Sequence, residues 1–163
     1  MSKYDTVDMG DTACRTMWAS KIVQHTWDIL VGLDRPIVSG SDEKTAAIVE
    51  AIDFYCNDDE WFLWVVAMSS LCESDSRNMV EGALIKRYAD VKKYLEERLA
   101  YYDHRVEASI RGQGKRIRLP EYSNCSHDIR LALRWLEQFR DRELTPKMRD
   151  LMIRLYDVKG RYD

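Results

Sequence analysis

The densest group of side chains able to do chemistry is Arg111-Gly112-Gln113-Gly114-Lys115-Arg116-Ile117-Arg118, in which Arg111, Lys115, Arg116 and Arg118 place four cations within eight residues. Cationic side chains neutralise phosphate, and glycines let backbone amides approach an anion, so the segment suits phosphate contact. Arg130 and Arg134 carry positive charge into the following segment, and these six residues form the candidate nucleic-acid-binding set. Each phosphate neutralised would make binding more salt-sensitive. The competing reading is a solvated loop whose arginines pair with acids of the same chain or of a second copy. Spacing excludes a nucleotide-binding P-loop: Arg116 stands where a hydroxyl is required, and Ser109 where the first glycine belongs.

A complementary set lies upstream. Asp58, Asp59 and Glu60 precede Trp61, and Asp42, Glu43, Glu50, Asp53, Glu73, Asp75 and Glu81 extend the negative charge. Acids beside an aromatic anchor suit a basic protein surface, so Asp58, Asp59, Glu60 and Trp61 are the candidate protein-binding set. Trp61 and Trp64, however, belong to the run Trp61-Phe62-Leu63-Trp64-Val65-Val66-Ala67-Met68, apolar on all sides, which predicts a buried helix and assigns both tryptophans to the core.

Catalytic arrangements are sparse. There are three histidines, His25, His104 and His127. His127-Asp128 in a helical context, with His104 before it and Asp150 or Asp157 after, resembles the HD-domain metal phosphohydrolases, in which His and Asp side chains from several helices bind a metal. The resemblance implies a ligand set of His104, His127, Asp128 and Asp150 or Asp157; a helix-capping role for the His-Asp pair is the simpler account. No nucleophile elbow accompanies a Ser-His-Asp set. His25, between Ile22 and Ile29 on an apolar face, reads as a hydrogen-bonded core histidine. Cys14, Cys56, Cys72 and Cys125 are far apart and form no C-x-x-C pair, so they read as buried free thiols. Leu144 to Tyr156 resembles the first helix of the helix-turn-helix in sigma-factor and response-regulator DNA-binding domains; no base-reading helix follows it before Asp163. No metal or cofactor is assigned.

These groups sit in a chain of 163 residues, 45% hydrophobic and 33% charged, with 7 Gly and 3 Pro. Such a composition excludes disordered and collagen-like chains and fits one domain, residues 1–163, behind a flexible tail over 1–10. The net charge of −3 conceals a division: 15 acids against 6 bases up to Gly82, then 13 acids against 19 bases. An uneven distribution of this kind suggests a charged partner. No apolar stretch near the start has the length of a secretory signal, and no run approaches the ~20 residues of a membrane span, so a soluble, cytoplasmic chain is expected. The first functional expectation is a non-catalytic accessory or regulatory factor contacting nucleic acid, or an acidic partner, through its basic C-terminal half. The second is an adaptor or inhibitor that docks its acidic N-terminal half on a basic site of a larger complex. A metal-dependent phosphohydrolase comes third, and homo-oligomerisation is compatible with each.

The elements that must position these residues read as helices throughout. Asp11 caps a first helix through Cys14, Trp18, Ile22, His25 and Ile29, stopped by Gly32 and Pro36. Ser41, followed by Asp42 and Glu43, opens a second, and the apolar run from Trp61 makes the third. From Ser76 to about Arg111 the stripe Tyr88, Val91, Leu95, Leu99, Tyr102, Val106, Ile110 predicts one long helix of roughly 54 Å, the spine of the molecule. Arg111 to Asn124 reads as a loop, a fifth helix as starting near Ser126, and Thr145-Pro146 as opening a sixth that Gly160 closes. The fold class is therefore all-α: a helical bundle of about six helices around one long central helix spanning about 76–111.

Overall fold

The computed structural model describes residues 3–34, 41–112 and 119–162. They form seven α-helices and no strand, an all-α bundle as expected: α1 (Lys3–Val31), α2 (Ser41–Cys56), α3 (Asp59–Ser69), α4 (Glu73–Lys86), α5 (Tyr88–Ile110), α6 (Leu119–Leu136) and α7 (Pro146–Tyr162). α1 lies against α2, α3 and α4; α7 covers α4; α5 and α6 pair along their length, and α6 also meets α2. Buried apolar side chains from all seven join in one core, with Ile22, Ile29, Ile48, Phe62, Leu84, Leu95, Ile129 and Leu136 among those almost wholly removed from water. Such burial is the main favourable term holding the bundle together. None of the helices is long and apolar enough to cross a membrane, among the described residues.

The expected spine is two helices. Arg87 leaves helical geometry at φ −102°, ψ 11° and closes α4 while opening α5. Neither proline nor glycine causes the break. Met79, Val80, Ala83 and Leu84 serve a helix packed on α1 and α7, whereas Val91, Leu95 and Tyr102 serve one paired with α6. Two sets of neighbours demand two axes, and the Arg87 guanidinium bridges Asp34 at 3.4 Å and Asp90 at 3.5 Å across the joint. Gly82 interrupts nothing. It is buried within α4, where an added Cβ would lie 3.1 Å from the Met148 Cβ, so its missing side chain lets α7 approach.

Other boundaries also move. α1 begins at Lys3, before the expected cap at Asp11, and α4 begins at Glu73, one turn before Ser76. α6 begins at Leu119, so Leu119–Asn124 is helix and not loop. Pro120 is no obstacle there, because the amides of a first turn have no partner within the helix. α7 continues through Gly160 to Tyr162. Ile110, expected inside, is 64% exposed, while Ser109 takes the buried position.

Candidate functional site

The third helix places the acidic and aromatic candidates. Asp58 is extended at φ −136°, ψ 98°, and its carboxylate accepts the Trp61 backbone N–H at 3.2 Å, an N-cap that fixes where α3 starts and hence where each side chain points. Asp59 is tied to Arg77 of α4 at 2.8 Å; the same guanidinium reaches Glu73 at 3.1 Å and lies over the rings of Phe62 and Tyr55. Asp58 and Asp59 therefore hold the helix in place. Glu60 is exposed and makes no ion pair among the described residues.

The core assignment of Trp61 and Trp64 is overturned. Phe62, Val65 and Val66 face the interior, leaving Trp61 39% and Trp64 45% exposed. Three residues apart on one helix, they share a face, and their rings stack at 5.3 Å with planes 10° apart. Trp18 of α1 meets both edge-on, at 5.9 Å and 4.9 Å. These are favoured aromatic geometries, so the three indoles hold one another as a preformed surface. Met17 and Leu71 are also exposed. An all-apolar run carries no periodic signal to say which of its sides is outermost; the only cue to this surface was the presence of two tryptophans after an acidic helix start.

The basic candidates are differently placed. Arg111, at the end of α5, is paired with Glu107 one turn earlier, and Arg130 of α6 with Asp103 of α5 at 2.6 Å. Arg134 is exposed and carries no ion pair or hydrogen bond among the described residues. Lys115, Arg116 and Arg118 lie outside the described residues. Bases of the C-terminal half also reach acids of the N-terminal half: Arg87 meets Asp34, Arg98 meets Asp42 at 2.8 Å, Arg142 meets Glu81 at 2.7 Å and Lys147 meets Asp75 at 3.2 Å. Part of the charge division is thus satisfied within the molecule.

His104, His127, Asp128, Asp150 and Asp157 lie on α5, α6 and α7, and no group of three or more His, Cys, Asp or Glu able to hold a metal occurs among the described residues. The cysteines are free thiols, but Cys14 and Cys72 are exposed and Cys56 and Cys125 only half-buried, contrary to expectation. Desolvation raises the Cys56 thiol to about 12, helped by the charges of Glu81 and Asp53, so it is protonated and a poor nucleophile at neutral pH. His25 is buried as expected, yet neither ring nitrogen has a hydrogen-bond partner among the described residues; the ring stacks on Phe54 at 4.5 Å instead. Burial, with a smaller contribution from Lys21, lowers its pKa to about 4, leaving it neutral near pH 7.

Comparison with protein-family models, with curated proteins and with solved structures gives no match to this chain.

Proposed function

We propose that the protein is a non-catalytic adaptor or inhibitor that docks the tryptophan face of α1 and α3, rimmed by Asp58, Asp59 and Glu60, on a basic and apolar site of a larger protein partner. One observation carries this reading: Trp61 and Trp64 stack on each other and are left open to water, held edge-on by the half-buried Trp18. Tryptophan is prominent among the residues that dominate binding energy, and a rigid aromatic surface loses little entropy on docking. The Glu60 carboxylate, with no ion pair among the described residues, adds charge selection and faster encounter with a basic surface.

The test is affinity capture from the source cells, comparing the parent protein with the Trp61→Ala/Trp64→Ala double variant and with Glu60→Lys. Asp58 and Asp59 are spared because both secure α3. A basic protein held by the parent should be bound about 30-fold more weakly by the double variant, the loss expected for hot-spot residues worth ~2 kcal/mol. Equal capture by parent and double variant would sink the reading.

Nucleic-acid contact through the basic half is the second reading, favoured by the exposed Arg134, which has no ion pair among the described residues. It predicts retention of nucleic acid at low salt that weakens in Arg134→Ala, and fails if retention is absent or unchanged.

A further inference from the structure

A second surface lies between α2 and α6, and none of Trp18, Trp61 and Trp64 lines it. It is a groove of about 360 Å³ whose apolar lining includes Val49, Leu131 and Trp135, with the carboxylates of Glu50, Asp53 and Asp128 along it. Glu50 and Asp53 stand three residues apart on α2, and Asp128 comes from α6. No cation of the described residues forms an ion pair with any of the three, although Asp34, Asp42, Asp59, Glu73, Asp75 and Glu81 elsewhere in the acidic half are all paired. Asp53 is held above the usual carboxylate range, chiefly by desolvation, although its hydrogen bond with Asn57 acts the other way, and then by the charges of Asp128 and Glu50. Trp135 is also without an aromatic neighbour among the described residues, whereas Trp18, Trp61, Trp64 and Trp27 each have one.

We propose that this groove is a docking cleft for an arginine- or lysine-bearing apolar segment of a protein partner, with aliphatic side chains on Val49 and Leu131 and a cationic head between Trp135 and the carboxylates of Glu50, Asp53 and Asp128. The chemistry selects this occupant. Phosphate-bearing ligands are repelled by three carboxylates that have no counter-ion among the described residues, and those residues offer a bare metal ion no ligand group. A guanidinium or ammonium on an apolar stem uses every part of the site: it neutralises the carboxylates, packs its methylenes on the apolar wall and presents its charge to the Trp135 indole that lines the groove. The volume lies within the ~300–1,000 Å³ range of ligand clefts. The unrelieved repulsion is consistent with a site that trades stability for binding.

The proposal is tested by titrating the isotope-labelled full chain with a short peptide alternating leucine and arginine, following the Trp135 indole and the amides of 46–53 and 128–135 by NMR. A peptide with glutamate in place of arginine is the control. Saturable shifts confined to α2 and α6, seen only with the arginine peptide, are expected. Asp128→Asn and Asp53→Asn should each weaken binding about tenfold, as for a lost contact to a charged group, while melting at the same temperature as the parent or higher. Trp61→Ala/Trp64→Ala should leave the titration unchanged, so failure of the tryptophan surface and failure of the groove are distinguishable. Absent shifts, equal shifts with the glutamate peptide, or unchanged affinity in both carboxylate variants would overturn the proposal. So would groove shifts on diluting the protein alone, which would assign the cleft to a second copy.

Discussion

The aromatic face of α1 and α3 and the basic side chains of the C-terminal half differ in how far the molecule satisfies them. Arg111, Arg130, Arg142 and Lys147 each find a carboxylate on a neighbouring turn or helix. Among the described residues, Trp61 and Trp64 find ring contacts only with each other and with Trp18, and they remain open to water. Surface charge is readily matched by an acid nearby, in pairs worth little. Exposed aromatic area is relieved only by covering it. What a fold leaves unsatisfied is therefore a better pointer to a partner than how much charge a segment carries. The groove between α2 and α6 extends the point, since Glu50, Asp53 and Asp128 have no ion pair among the described residues, whereas Asp34, Asp42, Asp59, Glu73, Asp75 and Glu81 are paired.

The contrast is sharpest within α3, whose inner and outer aromatics should behave in opposite ways. Phe62→Ala removes a ring that is wholly buried, edge-on to Phe54 and tilted against Tyr55, and should cost about 3–5 kcal/mol in urea unfolding. Trp64→Ala, on the outer side, should cost less than about 1 kcal/mol. Similar losses for the two would mean that Trp64 stabilises the fold as a core residue does, and the case for a docking face would collapse.

The next effect comes from acid. His25 is neutral in the fold with a pKa of about 4 and titrates near 6.5 once unfolded, so between those values the unfolded chain binds the extra proton. Stability from this group is complete above pH 6.5 and falls as pH drops to 4, by about 1.4 kcal/mol per unit at most. His25→Leu, which also removes two unpaired ring nitrogens, should flatten the difference in melting temperature between pH 7 and pH 4.5. An undiminished difference would place the acid sensitivity elsewhere.

Much of the bundle was legible in the sequence because amphipathic periodicity survives folding. The stripes through Ile22 and Ile29, through Val91, Leu95 and Tyr102, and through Met148, Leu151 and Met152 are buried as their spacing requires. The break at Arg87 was hidden, since the apolar phase runs through it and only the differing neighbours of α4 and α5 impose it. The helical start at Leu119 was obscured by Pro120, whose cost depends on its position in a helix and not on its presence. The site was less legible than the fold. Glu50 and Asp53 share a helix face by spacing alone, but nothing in the sequence brings Asp128 to them or turns Trp61 and Trp64 outward.

The smallest effect decides what the charge division is for. Arg142 and Glu81 join the two halves at 2.7 Å, with the carboxylate the less exposed partner. If the division existed mainly to hold the halves together, Arg142→Ala, Glu81→Ala and their double variant would give a large coupling energy that salt erodes. An exposed pair instead implies a coupling of about 0.2–1 kcal/mol, partly screened at physiological ionic strength. A double-mutant cycle by chemical denaturation at low and high salt measures it directly. A value in that range leaves four such bridges too weak to account for the asymmetry, so that the remaining unpaired acids of α2 and α3 are explained by a partner. A coupling well above 1 kcal/mol would return the asymmetry to the molecule's own packing and remove charge as an argument for either binding surface.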